Sequence, residues 1–448
     1  MLNAILSFGM ETTFFRYLQK YEKNKDQVYQ NTFFSIATLA GIFGLFAFLF
    51  VDDISAWMQR GSTLINPDYG SYVKYFIFIL VLDALAVIPF AKVRADGRPL
   101  RYGFLKFINV LVFISLNLFF IFGIPLILKE QLLGADFFSS WFRPGWVGYV
   151  FISNLIASAL TLVLLIPELS QLKLRFDVKM IREMLSYSWP ILVANISFII
   201  NENIDKVMLG RLLPAEISQQ EVGIYGAACK LAIFLSIFIQ AFRLGAEPFF
   251  FSHAKHEHAP KTYARIMTYF VITVCAICLG LVANLEILKY FIRGNAEQQE
   301  LYWSGLQIVP VLLFAYISLG IYMNLSIWYK LSDQTRYGLY ISGVGAVLTI
   351  ALNIWLIPQY SYVASAWITL IAYVTMMLLS YILGQKNYPI PYQLGKNLGY
   401  IFLTAVLVWL SFKLFNKNLI VGNVLFLLFV CTVALAERKE LKALFKKS

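Results

Sequence analysis

Charge is scarce in this chain. Asp, Glu, Lys and Arg make up 14% of its 448 residues, against about 25% in soluble domains. So few charges cannot coat a globule in which 59% of residues are hydrophobic, which excludes a cytosolic enzyme and a disordered chain. Cysteine is sparse as well. Four in the whole chain exclude a secreted disulfide scaffold, and Cys229, Cys275, Cys278 and Cys431 all fall in apolar stretches, as structural thiols do. The three histidines, His253, His256 and His258, crowd one polar loop with no cysteine or second cluster beside them, which argues against a metal site. Long polar connections are missing, so a soluble catalytic domain has no place to sit. Nucleophile elbow, phosphate loop and zinc helix are missing too. The expectation is a protein with no catalytic residues, no metal and no cofactor.

What is present is apolar mass, with 17% aromatic residues and a mean hydropathy of +0.69. A membrane span needs roughly 20 apolar residues. Twelve stretches qualify: 31–51, 72–91, 102–128, 146–167, 187–210, 223–247, 265–288, 304–328, 337–356, 362–384, 396–415 and 419–436. A thirteenth, Met1 to Leu18, reads as the tail of a helix; it has neither the basic start nor the cleavage site of a signal peptide. Lipid admits only helices or closed barrels, so the fold expected is an all-α polytopic bundle.

Positive charge orients it. Arg16, Lys20, Lys23 and Lys25 follow the first stretch, whereas the next connection has three Asp and only Arg60. Lys92, Arg94, Arg98 and Arg101 come next, and the alternation continues to a tail bearing Arg438, Lys439, Lys442, Lys446 and Lys447. Roughly 24 basic residues fall on one side and roughly 9 on the other, which places the first loop and the C-terminus in the cytoplasm. The net charge of +12 is therefore a topology and headgroup signal, not a nucleic-acid one.

The chain repeats itself. Gly9-Met10-Glu11-Thr12-Thr13-Phe14-Phe15 and Gly245-Ala246-Glu247-Pro248-Phe249-Phe250-Phe251 share G-x-E-x-x-F-F at a displacement of 236 (245 − 9). Arg101-Tyr102-Gly103 and Arg336-Tyr337-Gly338 are displaced by 235 (336 − 101), with Lys92 and Asp96 before one and Lys330 and Asp333 before the other. Two echoes at nearly one offset indicate two pseudo-symmetric, parallel lobes. The domains expected are a first lobe at 1–167, a cytoplasmic linker at 168–186, a second lobe at 187–384, two extra C-terminal helices at 385–436 and a basic tail at 437–448. The same offset puts the first-lobe counterparts of the 187–210 span and of most of the 223–247 span upstream of Met1, roughly 50–60 residues of chain.

Charges within spans are costly and mark functional paths by default. The densest group is Asn201-Glu202-Asn203-Ile204-Asp205-Lys206, with Asn195 one heptad before Glu202. Glu202, Asp205 and Lys206 share a helix face. The next span carries Lys230, Gln240, Arg243 and Glu247, with Pro248 expected to end or kink that helix. In the first lobe Glu11 and Arg16 hold the equivalent end, and Asp83 stands alone in mid-span. Glu286 reads as interfacial. Cationic groups suit a phosphate or pyrophosphate, whereas the carboxylates Glu202, Asp205, Glu247, Glu11 and Asp83 suit a proton or Na⁺. A self-satisfied structural ion pair is the alternative reading of the same residues.

Several phrases resemble one family. Phe8-Gly9-Met10-Glu11-Thr12-Thr13-Phe14-Phe15-Arg16, Arg94-Ala95-Asp96-Gly97-Arg98-Pro99, Ile204-Asp205-Lys206-Val207-Met208-Leu209-Gly210, Val222-Gly223-Ile224-Tyr225-Gly226 and Phe242-Arg243-Leu244-Gly245-Ala246-Glu247-Pro248-Phe249-Phe250 are similar to Wzx-like polysaccharide biosynthesis proteins. These belong to the multidrug/oligosaccharidyl-lipid/polysaccharide (MOP) superfamily. The resemblance implies two six-helix lobes around a cavity in the bacterial inner membrane. It implies alternating access that carries a polyprenyl-pyrophosphate-linked glycan outward for surface polysaccharide or O-antigen synthesis, with polymerase and assembly proteins as partners. It directs Lys206, Arg243, Arg16 and Lys230 toward the substrate headgroup. A cation-coupled drug or metabolite antiporter of the same superfamily is the rival. A glycan polymerase would want a long outer loop, and a scaffold would not need the buried charges.

Overall fold

The computed structural model describes residues 2–59, 67–173 and 175–438; Arg60 and the tail residues Lys439, Lys442, Lys446 and Lys447 lie outside them. Every regular element among the described residues is a helix, because a backbone in lipid must satisfy its own hydrogen bonds. Ten helices among the described residues are long and apolar enough to cross a membrane. Gly148–Leu164 is a shorter apolar helix, and Arg336–Asn387 divides at Ser361, whose backbone is non-helical (φ 50°, ψ −136°). The twelve expected stretches are thus all helical. The chain forms two compact units, Met1–Leu192 and Val193–Ser448.

The first unit corrects one expectation at once. The Met1–Leu18 stretch is not the tail of one helix but two helices, α1 (Leu2–Ser7) and α2 (Met10–Lys20). Phe8 and Gly9 between them take left-handed backbone (φ 49° and 66°). A Cβ at Gly9 would lie 3.0 Å from the Ser188 carbonyl and 3.1 Å from Ile191, so glycine is required there both for its φ and for the close approach. Gly9→Ala is expected to destabilise the protein by more than about 1 kcal/mol, read as a lowered melting temperature in detergent.

Next come α3 (Lys25–Leu49), α4 (Val51–Met58), α5 (Tyr69–Ala95), α6 (Pro99–Leu118), α7 (Ile124–Lys129), α8 (Ala135–Ser139), α9 (Gly148–Leu164) and α10 (Ile166–Leu169). A π turn, Phe119–Gly123, joins α6 to α7. Helix α5 packs against both α3 and α9, which accounts for its buried Ile77, Leu80, Ala84, Ile88 and Val93. Helix α11 (Val178–Leu212) crosses the boundary between the units. It starts well before position 187, within the stretch expected to be a linker. Asp177 explains the early start, since its Oδ1 accepts from the Met180 backbone N–H at 3.0 Å and so caps the helix.

The second unit adds α12 (Ala215–His253), α13 (Ala259–Ala283), α14 (Leu285–Leu288), α15 (Ala296–Ser304), α16 (Val309–Leu325), α17 (Ile327–Leu331), α18 (Arg336–Asn387), α19 (Leu394–Trp409) and α20 (Leu419–Ala436). Pro248 neither ends α12 nor stops its last turn. Beyond it Phe250 and Phe251 are buried, and the Tyr263 hydroxyl donates to the Phe250 carbonyl at 2.7 Å, which ties the turn after the proline to α13. Helix α16 packs on α12, α13 and α18. The C-terminal helices α19 and α20 pack on α13 and are clasped at one end. There the buried Glu437 accepts from Tyr400 at 2.5 Å and from Lys396 at 2.7 Å.

Candidate functional site

Of the charged residues in α11, Asp205 is the buried one, at 2% exposure. Glu202 and Lys206, expected on its face, are half-buried. Three side chains from the second unit close on Asp205. The Tyr225 and Thr369 hydroxyls each donate to Oδ2 at 2.9 Å, and the Asn353 amide donates to Oδ1 at 3.0 Å. Ser365 then donates to Asn353 Oδ1 at 3.1 Å, which fixes the orientation of that amide. Every one of these donors is neutral. A carboxylate so deeply buried calls for a balancing positive charge or a proton of its own. One helical turn earlier Asn201, 2% exposed, has neither side-chain polar atom paired among the described residues.

Glu202 lies within electrostatic reach of Lys206 and of Arg243 on α12. Arg243 and Glu247 both line a narrow cleft whose walls also carry Asn324 and Lys330. Glu247 forms an ion pair with Lys330 at 3.1 Å, their side chains only 11% and 15% exposed. Lys230 is exposed on α12 and Asn195 half-buried on α11; neither takes part in these groups.

In the first unit Glu11 pairs with Arg94. The Arg94 guanidinium also lies 5.1 Å from the Phe15 ring and 5.3 Å from the Tyr102 ring, in cation–π contact. Arg16 is half-buried on α2. Asp83 is not alone: Ser158 on the packed α9 donates to it at 2.7 Å. The buried Glu168 is paired with Arg101 at 2.9 Å, and Tyr29 donates to its backbone carbonyl at 3.0 Å.

Sequence reasoning missed Tyr225, Asn353, Thr369 and Ser365, because uncharged polar residues in spans give no signal until packing joins them. It also missed Arg94 and Lys330 as partners, and there a signal existed. Their positions differ by 236 (330 − 94), the displacement that relates Glu11 to Glu247.

A family model described as Polysaccharide biosynthesis protein matches residues 1–251, and a second, MatE, matches residues 190–355. No curated protein sequence matches the chain. Among solved structures, a MATE transporter of Vibrio cholerae is 15% identical with a TM-score of 0.68, over 86% of this chain and 85% of that one. A MOP superfamily transporter of Pyrococcus furiosus, described as having a binding pocket of reversed polarity, is 12% identical with a TM-score of 0.65, over 86% and 84%. An outward-facing multidrug resistance MATE transporter is 11% identical with a TM-score of 0.68, over 86% and 84%. At such identities the likeness carries the fold alone.

Proposed function

The chain belongs to the polysaccharide biosynthesis protein family, a MOP superfamily membrane transporter and not an enzyme, and from that premise we propose that it flips a lipid-linked oligosaccharide from the inner to the outer leaflet. One observation carries the reading: Lys206 and Arg243 sit with Glu202 inside helices long and apolar enough to cross a membrane. Two cations at that depth are costly unless they meet an anion, and the pyrophosphate of a polyprenyl carrier is an anion that guanidinium engages in bidentate fashion. Lys206 and Arg243 therefore receive the headgroup. Arg16, half-buried at the basic end of the first unit, extends the cationic set, and the exposed Lys230 is its least enclosed member. Asp205 takes the coupling role, exchanging a proton or Na⁺ as the transporter alternates access, with Glu202, Glu247, Glu11, Asp83 and Asn195 as polar groups along the path. The setting is a bacterial inner membrane with the basic loops and C-terminus cytoplasmic, and glycan polymerase and assembly proteins act downstream.

The test is complementation of a flippase-null strain, scored by surface glycan. The wild-type chain restores export, and Lys206→Ala or Arg243→Ala lowers it at least tenfold at equal membrane abundance. Undiminished export by both variants would sink the headgroup assignment. A second reading, cation-coupled drug or metabolite antiport, draws support from the MatE match over residues 190–355 and from the buried Asp205. It predicts resistance to cationic drugs in a susceptible host and no glycan phenotype.

A further inference from the structure

In the first unit α6 runs antiparallel to α9 and α10 in one register. Arg101 pairs with Glu168 at 2.9 Å, Asn109 donates to Thr161 at 2.9 Å, and the Phe120 and Tyr149 rings stack 4.6 Å apart. From the first pair to the third each helix advances 19 residues (120 − 101 and 168 − 149), which at 1.5 Å per residue is about 28 Å. The hydrocarbon core of a bilayer is about 30 Å thick. The buried Glu168 therefore marks one boundary of the membrane and the stacked rings mark the other. Aromatic side chains gather at that second boundary: Phe138 packs on Phe119, Trp141 on Phe120, and Phe142 and Trp146 on Tyr149, the belt typical of a membrane–water interface.

Between Phe120 and Tyr149 the chain spends 28 residues (149 − 120 − 1), more than the reversal needs. The second unit is the control. After its Arg336 echo of Arg101 the corresponding spans reverse inside α18 at Ser361, and Ser365 reaches Asn353 across that turn at 3.1 Å with 11 residues (365 − 353 − 1) between them. The excess in the first unit is α7, α8 and their loops. Gln131 and Gly134 take left-handed backbone (φ 50° and 95°) and fold the excess into a hairpin, whose return arm comes back to Phe119 through Phe138. Ile124 at its root and Ala135 on its return arm are buried, so the hairpin is packed. Its other apolar side chains are not. Phe122, Leu126, Leu132 and Phe137 are each at least half-exposed and Leu133 wholly so, at 103%, among only three charges, Lys129, Glu130 and Asp136. Large apolar side chains exposed together mark an interaction surface.

We infer that this hairpin, Ile124 to Trp141, is an interfacial anchor whose partner is a lipid surface: the headgroup layer of the leaflet facing away from the Arg101–Glu168 pair, the outer one by charge topology. The place of the hairpin selects that partner. Both of its arms start from the aromatic belt. Nine residues separate Phe120 from Lys129 (129 − 120), at most about 13 Å of helix, and the π turn Phe119–Gly123 at the root is a point at which helices bend. The hairpin therefore stays at the membrane surface, where an amphipathic segment sinks its apolar side chains about 5–10 Å into the boundary between headgroups and acyl chains. Lys129 and Glu130, exposed at the tip, supply the polar side that such a segment needs. A glycan or a soluble protein as partner would need the leucines held clear of lipid, and the belt leaves no such clearance. Held at Glu168 on one boundary and at the hairpin on the other, the first unit is fixed in height in the bilayer, whatever its cargo.

The test uses the full chain in nanodiscs of phosphatidylethanolamine and phosphatidylglycerol, with the exposed Cys431 replaced by alanine. An environment-sensitive fluorophore is attached to Leu133→Cys or to Phe137→Cys. Glu257→Cys, exposed in the loop between α12 and α13, is the aqueous reference. Lipid spin-labelled at the top of its acyl chain is expected to quench both hairpin sites at least about threefold more than the reference, and iodide to quench them at least about threefold less. Leu133 has no packing to lose, so its variant remains informative if Phe137→Cys fails to fold. Leu132→Glu together with Leu133→Glu is expected to lower the lipid quenching at Phe137→Cys at least about twofold and to leave the melting temperature in detergent within a few degrees. Iodide quenching equal to that of the reference would put the hairpin in water and overturn the inference, as would quenching strongest with the spin label at the far end of the acyl chain, which would put it inside the hydrocarbon.

Discussion

Asp205→Ala is expected to abolish transport and to lower stability by on the order of 3–5 kcal/mol. The carboxylate is the common acceptor of Tyr225, Thr369 and Asn353. Its removal leaves the Tyr225 hydroxyl and one N–H of the Asn353 amide without this acceptor, each worth about 1–3 kcal/mol before relaxation, whereas Thr369 keeps the Ser365 carbonyl at 2.8 Å. Asp205→Asn separates the two roles. It keeps the shape and one acceptor oxygen, so most of the stability stays, but it removes the charge that a proton or cation would balance. That variant should fold, melt within a few degrees of wild type, and show no export and no response to an imposed ion gradient. Thr369→Val takes away one hydroxyl and should cost about 1 kcal/mol while export continues. Melting in detergent and surface-glycan assays on the three variants measure both effects. Gradient-driven export by Asp205→Asn would remove this residue from coupling.

The second large effect is asymmetric. Glu11→Ala is expected to cost about 3–5 kcal/mol, because it removes the carboxylate paired with a buried guanidinium. Arg94 is 6% exposed whereas its partner Glu11 is 35% exposed. Arg94→Met leaves a carboxylate that water still reaches, and should cost less than half as much. The double variant Glu11→Leu/Arg94→Met should regain most of the loss, as apolar replacements of buried ion pairs do, and a double-mutant cycle from melting curves yields the interaction. In the second unit Glu247 and Lys330 are about equally buried, so the two single variants there should be nearly equal in cost. Equal costs in the first unit as well would show that exposure does not govern the pair.

Much of the fold was legible because hydropathy reports directly on what lipid demands. Helices in all twelve expected stretches follow from that single constraint. Their ends were less legible, because local groups set them: Asp177 starts α11 early, and the burial of Phe250 and Phe251 carries α12 past Pro248. The turn at Phe8 and Gly9 was hidden because Gly9 is forced into it by Ser188 and Ile191, far away in sequence. In the candidate site, charge made Asp205, Lys206, Arg243 and Glu247 visible. Charge could not say which was buried. Asp205 is enclosed because Asn353 and Thr369 approach it from α18, far along the chain, a matter of packing that no local pattern carries. Glu11 was read beside Arg16, its neighbour on the helix, whereas the pairing ran to Arg94 through the tertiary fold.

The matched ion pairs, Glu11 with Arg94 and Glu247 with Lys330, also bear on ancestry. Two units that keep an acid–base pair at one spacing, with arginine in one and lysine in the other, read as copies of a duplicated gene whose shared framework was held while the surroundings diverged. Residues can then be exchanged between copies as a calibrated experiment. Lys330→Arg installs what the sister copy already tolerates, whereas Asn324→Ile and Ser326→Phe together install the buried Ile88 and Phe90 of the matched first-unit positions. Each unit is then a reference for the matched positions of the other.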